Sequence, residues 1–216
     1  MRTCLVGSEM CIRDSLLETA VVCDAVATPL KIIKKARISS FDKVGVIGAG
    51  GGLGIHMLKM LKLNNISAIG IDTKTEKFNT CNENGAEFSV SPMENNLKNK
   101  IADYSKSHNL DVVIDFVSSK SSLELGCSIL GKGGRLVTLG GSGEQFLANS
   151  ADMLVKELEL IGSRYCTKQE LKESLDLYAR GLIEPLVSVK TDFDGAEGLH
   201  DKIEKGEITG RAGILI

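Results

Sequence analysis

Short apolar runs alternate along this chain with segments in which apolar residues recur at helical spacing. The runs predict strands at residues 43–47, 68–71, 87–90, 111–117, 135–139 and 158–162. The helical spacing predicts a helix directly after the first strand and others at residues 16–37, 76–84, 97–107, 121–130 and 168–180. Strands that alternate with helices form a parallel sheet covered on both faces, so the pattern predicts an α/β, doubly wound fold.

The same pattern predicts a break in the first helix and a separate unit at the C-terminus. The first helix is interrupted near Thr28-Pro29, and the C-terminal part has short strands at 186–189 and 213–216 around a helix at 195–205. We interpret that last unit as a remnant of another domain. In the helix after the first strand, Met57, Leu58 and Leu61 are expected to face the core, whereas His56 is expected to face solvent.

A glycine cluster follows the first predicted strand. The run Val44 to Ile47 leads into Gly48-Ala49-Gly50-Gly51-Gly52-Leu53-Gly54, and a helix pattern follows at once. A helix N-terminus presents unpaired N–H groups and a partial positive charge, and glycines allow a pyrophosphate to approach the backbone. The spacing is A-x-G-x-x-G rather than the strict G-x-G-x-x-G, so the cluster alone is a weak signal of nucleotide binding.

An acid at the end of the second predicted strand strengthens that signal. Asp72 follows Ile71, eighteen residues after Gly54. A carboxylate at this spacing accepts hydrogen bonds from the ribose hydroxyls of an adenine dinucleotide. The two features together predict a dinucleotide-binding fold of Rossmann type.

Composition excludes several other classes of protein. The chain has 216 residues, a net charge of −2 and no basic stripe, which argues against a nucleic-acid partner. No apolar stretch approaches the roughly 20 residues of a membrane span. Its six cysteines show no C-x-x-C spacing, and no secretory signal is evident, so we expect a reduced, cytoplasmic protein.

The first fifteen residues match no pattern in the rest of the chain. Residues 10–15, with the sequence MCIRDS, resemble a translated sequencing adapter. We therefore expect residues 1–15 to be non-native and exclude them from reasoning about the fold.

Several blocks resemble the zinc-type medium-chain alcohol dehydrogenase superfamily. They are Asp24 to Pro29, Gly48 to Gly54, Ile71-Asp72 with Lys77-Phe78, Val113 to Val117, Gly133 to Gly140, and Gly206 to Arg211. The resemblance implies a coenzyme domain at residues 16–165, with its leading helix, and a C-terminal return to a catalytic domain at 166–216. It also implies that the N-terminal catalytic domain is missing, so that this truncated chain binds cofactor but is catalytically incomplete.

The same resemblance assigns roles to individual positions. Gly48 and the segment Gly50, Gly51, Gly52, Leu53 and Gly54 would hold the pyrophosphate, with Arg211 reaching a phosphate from the C-terminal part. Asp72 would bind the adenosine ribose beside Lys77, and Val117 would line the adenine side of the cleft. The nicotinamide would meet the residues Thr28, Leu139, Gly140 and Gly141.

NAD is the expected cofactor because of the charge of Asp72. The 2′-phosphate of NADP would lie about 4 Å from this carboxylate, a repulsion of ~1 kcal/mol in water and ~4 kcal/mol at an effective dielectric of 20. A charged hydrogen bond to the diol of NAD is worth roughly 1.5–3 kcal/mol. Lys74 and Lys77 are positioned to soften this preference.

Catalysis in the resembled family uses zinc to polarise the oxygen of an alcohol or carbonyl substrate during hydride transfer. A catalytic zinc takes three protein ligands, of which the resemblance places only one here: Asp24, with Cys23 as the alternative. We therefore expect no complete catalytic residue set, and zinc only in the full-length parent. His56, His108 and His200 fall in no ligand pattern and are expected to face solvent.

Other functions remain open at this stage. A zinc-independent NAD(P)H quinone or enoyl reductase of the same superfamily has a similar glycine turn, and a non-catalytic nucleotide-binding fragment is a further possibility. A methyltransferase that uses S-adenosylmethionine is disfavoured because residues 44–47 carry no acid. The resemblance also implies a homo-oligomeric parent, a dimer or tetramer joined along open sheet edges.

Overall fold

The computed structural model describes residues 16–106 and 109–215. Its main sheet has six strands in the order β3-β2-β1-β4-β5-β6, and every neighbouring pair is parallel. The strands are β1 Lys43–Ile47, β2 Ser67–Ile71, β3 Ser89–Val90, β4 Leu110–Asp115, β5 Leu130–Thr138 and β6 Glu159–Gly162. This strand order is that of the doubly wound, Rossmann-type fold, which confirms the predicted fold class.

Helices cover both faces of the sheet and precede and follow it. They are α1 Leu16–Val21, α2 Ala27–Lys35, α3 Gly54–Leu63, α4 Phe78–Glu83, α5 Leu97–Ser105, α6 Lys120–Ile129, α7 Ser150–Lys156, α8 Lys168–Ala179 and α9 Ala196–Glu204. A second sheet pairs β7 Val187–Thr191 with β8 Arg211–Ile214, again in parallel. The predicted division into a coenzyme domain and a C-terminal return stays a prediction.

The predicted break near Thr28-Pro29 is wrong. The irregularity is a π-helical turn at Val22–Val26, one turn earlier, and the chain then continues into α2. Pro29 lies in the first turn of α2, where the fixed φ of proline is compatible with the helix. The sequence pattern also missed α7, which begins at the N-cap Asn149, and it placed the start of β5 five residues late.

The core has an apolar layer on each face of the sheet, and a third, smaller cluster lies between α3, α8 and the π-helical turn. One layer joins Val44 and Val46 of β1 to Leu58 of α3 and Ile32 of α2. The other joins residues of β2 and β4 to the helices α5 and α6. Since β1 and β4 are buried on both faces, their continuous apolar runs are those expected of central parallel strands.

A buried acid holds the loop after β4. The carboxylate of Asp115, fully buried, accepts hydrogen bonds from the N–H groups of Val117 (2.8 Å) and Ser118 (2.9 Å). It also accepts one from the hydroxyl of Ser122 in α6, at 2.7 Å. These three donors compensate the loss of hydration of the carboxylate and fix the path of the chain at the carboxyl end of β4.

We expect Ser122→Ala to lower the free energy of unfolding by about 1–3 kcal/mol, because it removes a donor from a buried carboxylate. Chemical denaturation measures this change. Ser128→Ala on the same helix is the control, since the exposed Ser128 hydroxyl bonds only to the Leu125 carbonyl. Equal losses in the two variants would contradict the assigned role of Ser122.

Candidate functional site

The glycine turn brings α3 into close contact with the end of β1. Gly48 has a φ of +76°, and its carbonyl accepts the N–H of Gly51 at 3.1 Å. A Cβ on Gly54, the first residue of α3, would lie only 2.1 Å from that same carbonyl oxygen. The turn therefore requires glycine at position 54 for close packing of helix against strand.

Two N–H groups at the start of α3 have no partner among the residues that the structure describes. Within residues 16–106 and 109–215, no hydrogen bond engages the backbone N–H of Gly52 or Leu53. These donors are the unsatisfied groups expected at a helix N-terminus, where the helix dipole also favours negative charge. The turn can therefore receive an anionic group.

Asp72 lies against the turn. One carboxylate oxygen accepts the N–H of Gly50 at 2.8 Å, and the other accepts the N–H of Lys74 at 3.0 Å. The loop after β2 is thereby joined to the glycine turn. The carboxylate remains partly exposed, which leaves lone pairs free for a ligand.

Two clefts at the carboxyl ends of the strands meet at Leu53. The first, of about 420 Å³, is lined by the turn and the loops after β2 and β4, including Gly48, Gly51, Gly52, Gly54, Asp72, Lys77, Val117 and Arg211. The second, of about 740 Å³, is lined by α2 and the loops after β5 and β6, including Asp24, Thr28, Leu139, Gly140, Gly141 and Ser163. Ligands of open α/β sheets bind at this edge, where the strand order reverses.

Arg211 reaches the first cleft from β8. Its side chain lies against the turn, since a Cβ on Gly52 would come within 2.7 Å of its Nε atom. One guanidinium nitrogen donates to the carboxylate of Asp24. The Nε atom is buried and has no partner in the part of the chain that the structure describes. Arg211 therefore packs on the turn and lines the first cleft.

Lys77 is buried instead of lying free beside Asp72. Its Nζ donates to the carbonyl of Ile208 at 2.7 Å, and only 6% of the residue is exposed. The aliphatic part of the side chain packs on the turn, because a Cβ on Gly50 would lie 2.5 Å from its Cδ. Lys77 thus supports the turn and fastens the segment before β8.

The second cleft has a floor of backbone groups. The N–H of Gly140 donates to the hydroxyl of Ser118 at 2.8 Å, which draws the loop after β5 onto the loop after β4. A Cβ on Gly140 would lie 2.5 Å from that of Ser118, so this position also needs glycine. Ser163, which sequence reasoning missed, lines this cleft with a buried hydroxyl that lacks a partner among the described residues.

The predicted zinc ligands do not form a zinc site. The carboxylate of Asp24 is paired with Arg211 and accepts the hydroxyl of Thr28 at 3.3 Å. The thiol of Cys23 is exposed and contacts the carbonyl of Thr19 at 3.6 Å. Among the described residues, no three His, Cys, Asp or Glu side chains are grouped so as to hold a metal ion. The residues present therefore do not fit a catalytic zinc.

The prediction that His56 faces solvent is wrong. Its side chain is fully buried, with Nδ1 2.7 Å from the carbonyl of Gly52 and Nε2 accepting the N–H of Leu186 at 3.0 Å. Burial lowers the pKa of His56 to about 4, so the imidazole is neutral at pH 7. His200 is exposed as expected, and His108 lies outside the described residues.

Comparison with known proteins places this geometry in a family. The family model described as zinc-binding dehydrogenase matches residues 52–180, which is more than half of the chain. The chain belongs to this family, an assignment that confirms the predicted resemblance.

The relatives are mainly alcohol dehydrogenases. The chain is 24% identical to an NAD-dependent alcohol dehydrogenase of Sulfurisphaera tokodaii, with 92% of this chain and 58% of the relative covered. It is 30% identical to alcohol dehydrogenase 1 of Neurospora crassa, with 89% of this chain and 55% of that relative covered. It is also 26% identical to an acryloyl-coenzyme A reductase of Metallosphaera sedula, with 82% of this chain and 52% of that relative covered. The chain thus spans about half the length of the curated relatives that it matches.

Solved structures agree with this family. The alcohol dehydrogenase of Aeropyrum pernix is 27% identical and superposes with a TM-score of 0.84 over 92% of this chain and 58% of that one. No helix among the described residues is long and apolar enough to cross a membrane.

We expect Gly54→Ala to lower the free energy of unfolding by more than about 2 kcal/mol, because the added methyl group meets the Gly48 carbonyl. Thermal and chemical denaturation measure the loss. Gly141→Ala is the matched control, since a Cβ there meets nothing within 4 Å. Unchanged stability of Gly54→Ala would show that helix and strand are not tightly packed at this point.

Proposed function

We propose that this chain binds NAD(H) across the two clefts and forms the coenzyme-binding part of an oxidoreductase. The observation that carries this proposal is the position of Asp72 against the glycine turn, 2.8 Å from the N–H of Gly50. The hydroxyl groups of a ribose diol bound there would donate hydrogen bonds to the carboxylate, and the pyrophosphate of the same dinucleotide would face the free N–H groups at the start of α3. Val117 would then cover the adenine side of the cleft.

The groups around the turn suit a pyrophosphate. The free N–H groups of Gly52 and Leu53 are donors at one edge of the first cleft, and the guanidinium group of Arg211 brings a positive charge to the same edge. An anion there would satisfy donors that otherwise lack a partner. In the second cleft, Thr28 and the backbone from Leu139 to Gly141 would contact the nicotinamide ring.

The surroundings of Asp72 favour NAD over NADP. The ammonium group of Lys77 is held by the carbonyl of Ile208, so it would have to leave or share that partner to reach a 2′-phosphate. Of the two lysines that the sequence places near a 2′-phosphate, Lys74 lines the cleft without such a partner for its ammonium group among the described residues. A 2′-phosphate would therefore meet the negative charge of Asp72 with little compensation.

For the parent protein we propose hydride transfer between an alcohol or carbonyl substrate and NAD. Bound NAD would supply the hydride acceptor, and this chain's residues would orient it through backbone contacts in the second cleft. The second candidate is a zinc-independent enoyl or quinone reductase. It is favoured by the ion pair of Asp24 with Arg211, because this pair occupies the carboxylate that the sequence predicts as a zinc ligand. The acryloyl-coenzyme A reductase relative adds to that alternative.

We also propose that the parent associates with itself along β6. This strand is the last in the sheet and is mostly exposed, and Leu160 on it is 42% exposed. An open strand edge pairs readily with a second copy, and such pairing removes an edge prone to aggregation.

We expect the chain, produced without residues 1–15, to bind NADH at least tenfold more tightly than NADPH, and Asp72→Asn to weaken NADH binding about tenfold or more. The physical reason is the loss of a charged hydrogen bond worth roughly 1.5–3 kcal/mol. Titration followed by nicotinamide fluorescence measures both constants, and the chain has no Trp to interfere.

Asp152→Asn is the control for a general change in charge, because Asp152 is exposed on α7, outside both clefts. It should leave both affinities unchanged. Tighter binding of NADPH by the unmodified chain would favour the reductase alternative. A folded chain that binds neither nucleotide would overturn the proposed function.

We expect the purified chain to retain no stoichiometric zinc after dialysis and to show no zinc-dependent oxidation of ethanol. A catalytic zinc needs three protein ligands, and Asp24 is the one that the resemblance assigns to this chain. Elemental analysis and an NADH-formation assay test this. Asp24→Asn should give the same zinc content as the unmodified chain. One equivalent of zinc that disappears in Asp24→Asn would prove the expectation wrong.

A further inference from the structure

A buried histidine connects the glycine turn to the C-terminal part of the chain. The side chain of His56 extends from α3, where its Nδ1 lies 2.7 Å from the Gly52 carbonyl and its Nε2 accepts the Leu186 N–H at 3.0 Å. Gly52 belongs to the turn, and Leu186 immediately precedes β7. One imidazole thus bonds to two backbone segments that are 134 residues apart in the sequence.

The segment held by His56 is the one that places Arg211. The carbonyl of Leu186 accepts the N–H of Arg211 at 2.9 Å, and the N–H of Gly210 donates to the carbonyl of Gly50 at 3.2 Å. Leu186 therefore links His56 to Arg211, because its N–H donates to the imidazole and its carbonyl accepts the N–H of Arg211. The Arg211 side chain then lies against Gly52, which is the other partner of His56.

We infer that His56 is a positioning residue that holds Arg211 over the glycine turn by bridging the Gly52 carbonyl and the Leu186 N–H. This inference rests on the proposed binding of a dinucleotide at the turn. The bridge requires the neutral tautomer with the proton on Nδ1, since Nε2 must accept a hydrogen bond. His56 itself does not face the cleft and contacts no ligand.

The surroundings of His56 oppose its protonation. Burial is the main cause of its low pKa, and the positive charges of Arg211 on β8 and Lys59 on α3 lower the pKa further. The Gly52 carbonyl and the more distant Asp24 act in the opposite direction. A protonated ring would direct an N–H from Nε2 at the N–H of Leu186, so protonation would break that half of the bridge.

Two conservative variants separate the two bonds. An asparagine places its side-chain amide near the position of Nδ1, so His56→Asn keeps the bond to Gly52 and loses the bond to Leu186. A glutamine reaches the position of Nε2, so His56→Gln keeps an acceptor for Leu186 and loses the bond to Gly52. We expect His56→Asn to weaken NADH binding about three- to tenfold, and His56→Gln to weaken it less.

A double-mutant cycle with Arg211→Ala tests whether the effect passes through Arg211. In that background we expect His56→Asn to cause no further loss of NADH affinity. Met60→Ala, a buried change on the same helix that touches neither cleft, serves as the control for general destabilisation and should bind NADH normally below its melting temperature. An equal loss with and without Arg211, or an equal loss in Met60→Ala, would overturn the inference.

The tautomer gives a test that needs no cofactor. In ¹⁵N-labelled protein, long-range correlation spectra should show a protonated Nδ1 and an unprotonated Nε2 for His56 at pH 7. The same pattern should persist at pH 5.5, where a free histidine is mostly protonated. A proton on Nε2 at pH 7 would disprove the bridge, whereas failure of the unmodified chain to bind NADH would instead disprove the proposed function.

Discussion

The close approach of α3 to β1 is the constraint on which the rest of this structure depends. The helix begins so near the strand that a side chain on Gly54 would collide with the carbonyl of Gly48. That proximity places the free N–H groups of Gly52 and Leu53 at the strand-order reversal, where two clefts meet. A wider turn would point the same donors into solvent, and the cleft would lose its preference for an anion.

Groups of opposite charge come to this turn from distant parts of the chain. Asp72 arrives at the end of β2 and bonds to Gly50, whereas Arg211 arrives on β8 and lies against Gly52. The acid suits a ribose diol and the guanidinium suits a phosphate, so in the proposed complex the ribose and the phosphate of a nucleotide would meet groups of opposite charge. Asp24 binds the same guanidinium, which couples the predicted zinc position to the phosphate side of the cleft.

Local patterns predicted much of this arrangement. The apolar runs of β1 and β2, the glycine turn and the acid after β2 all lie within residues 43–72, and the run of β4 is a second local signal. Together they predicted the sheet and one side of the first cleft. The break near Thr28-Pro29, the missed helix α7 and the start of β5 are errors in reading local signals, whereas the error at His56 comes from long-range packing. His56 has a polar side chain in a helix whose apolar face is broad, and only the docking of the segment around Leu186 buries it.

The sequence by itself determined the fold class, the position of the turn and the acid beside it, because each follows from residues close together in the chain. The tertiary structure decided what the remaining charged groups do. Lys77 binds the carbonyl of Ile208, Asp24 pairs with Arg211, and His56 bridges Gly52 and Leu186. Three of these four bonds join residues that are far apart in the chain. The separation is 131 residues for Lys77 and Ile208, 187 for Asp24 and Arg211, and 130 for His56 and Leu186. Periodicity and motif spacing hold no information at that range, so only the packed chain brings these groups together.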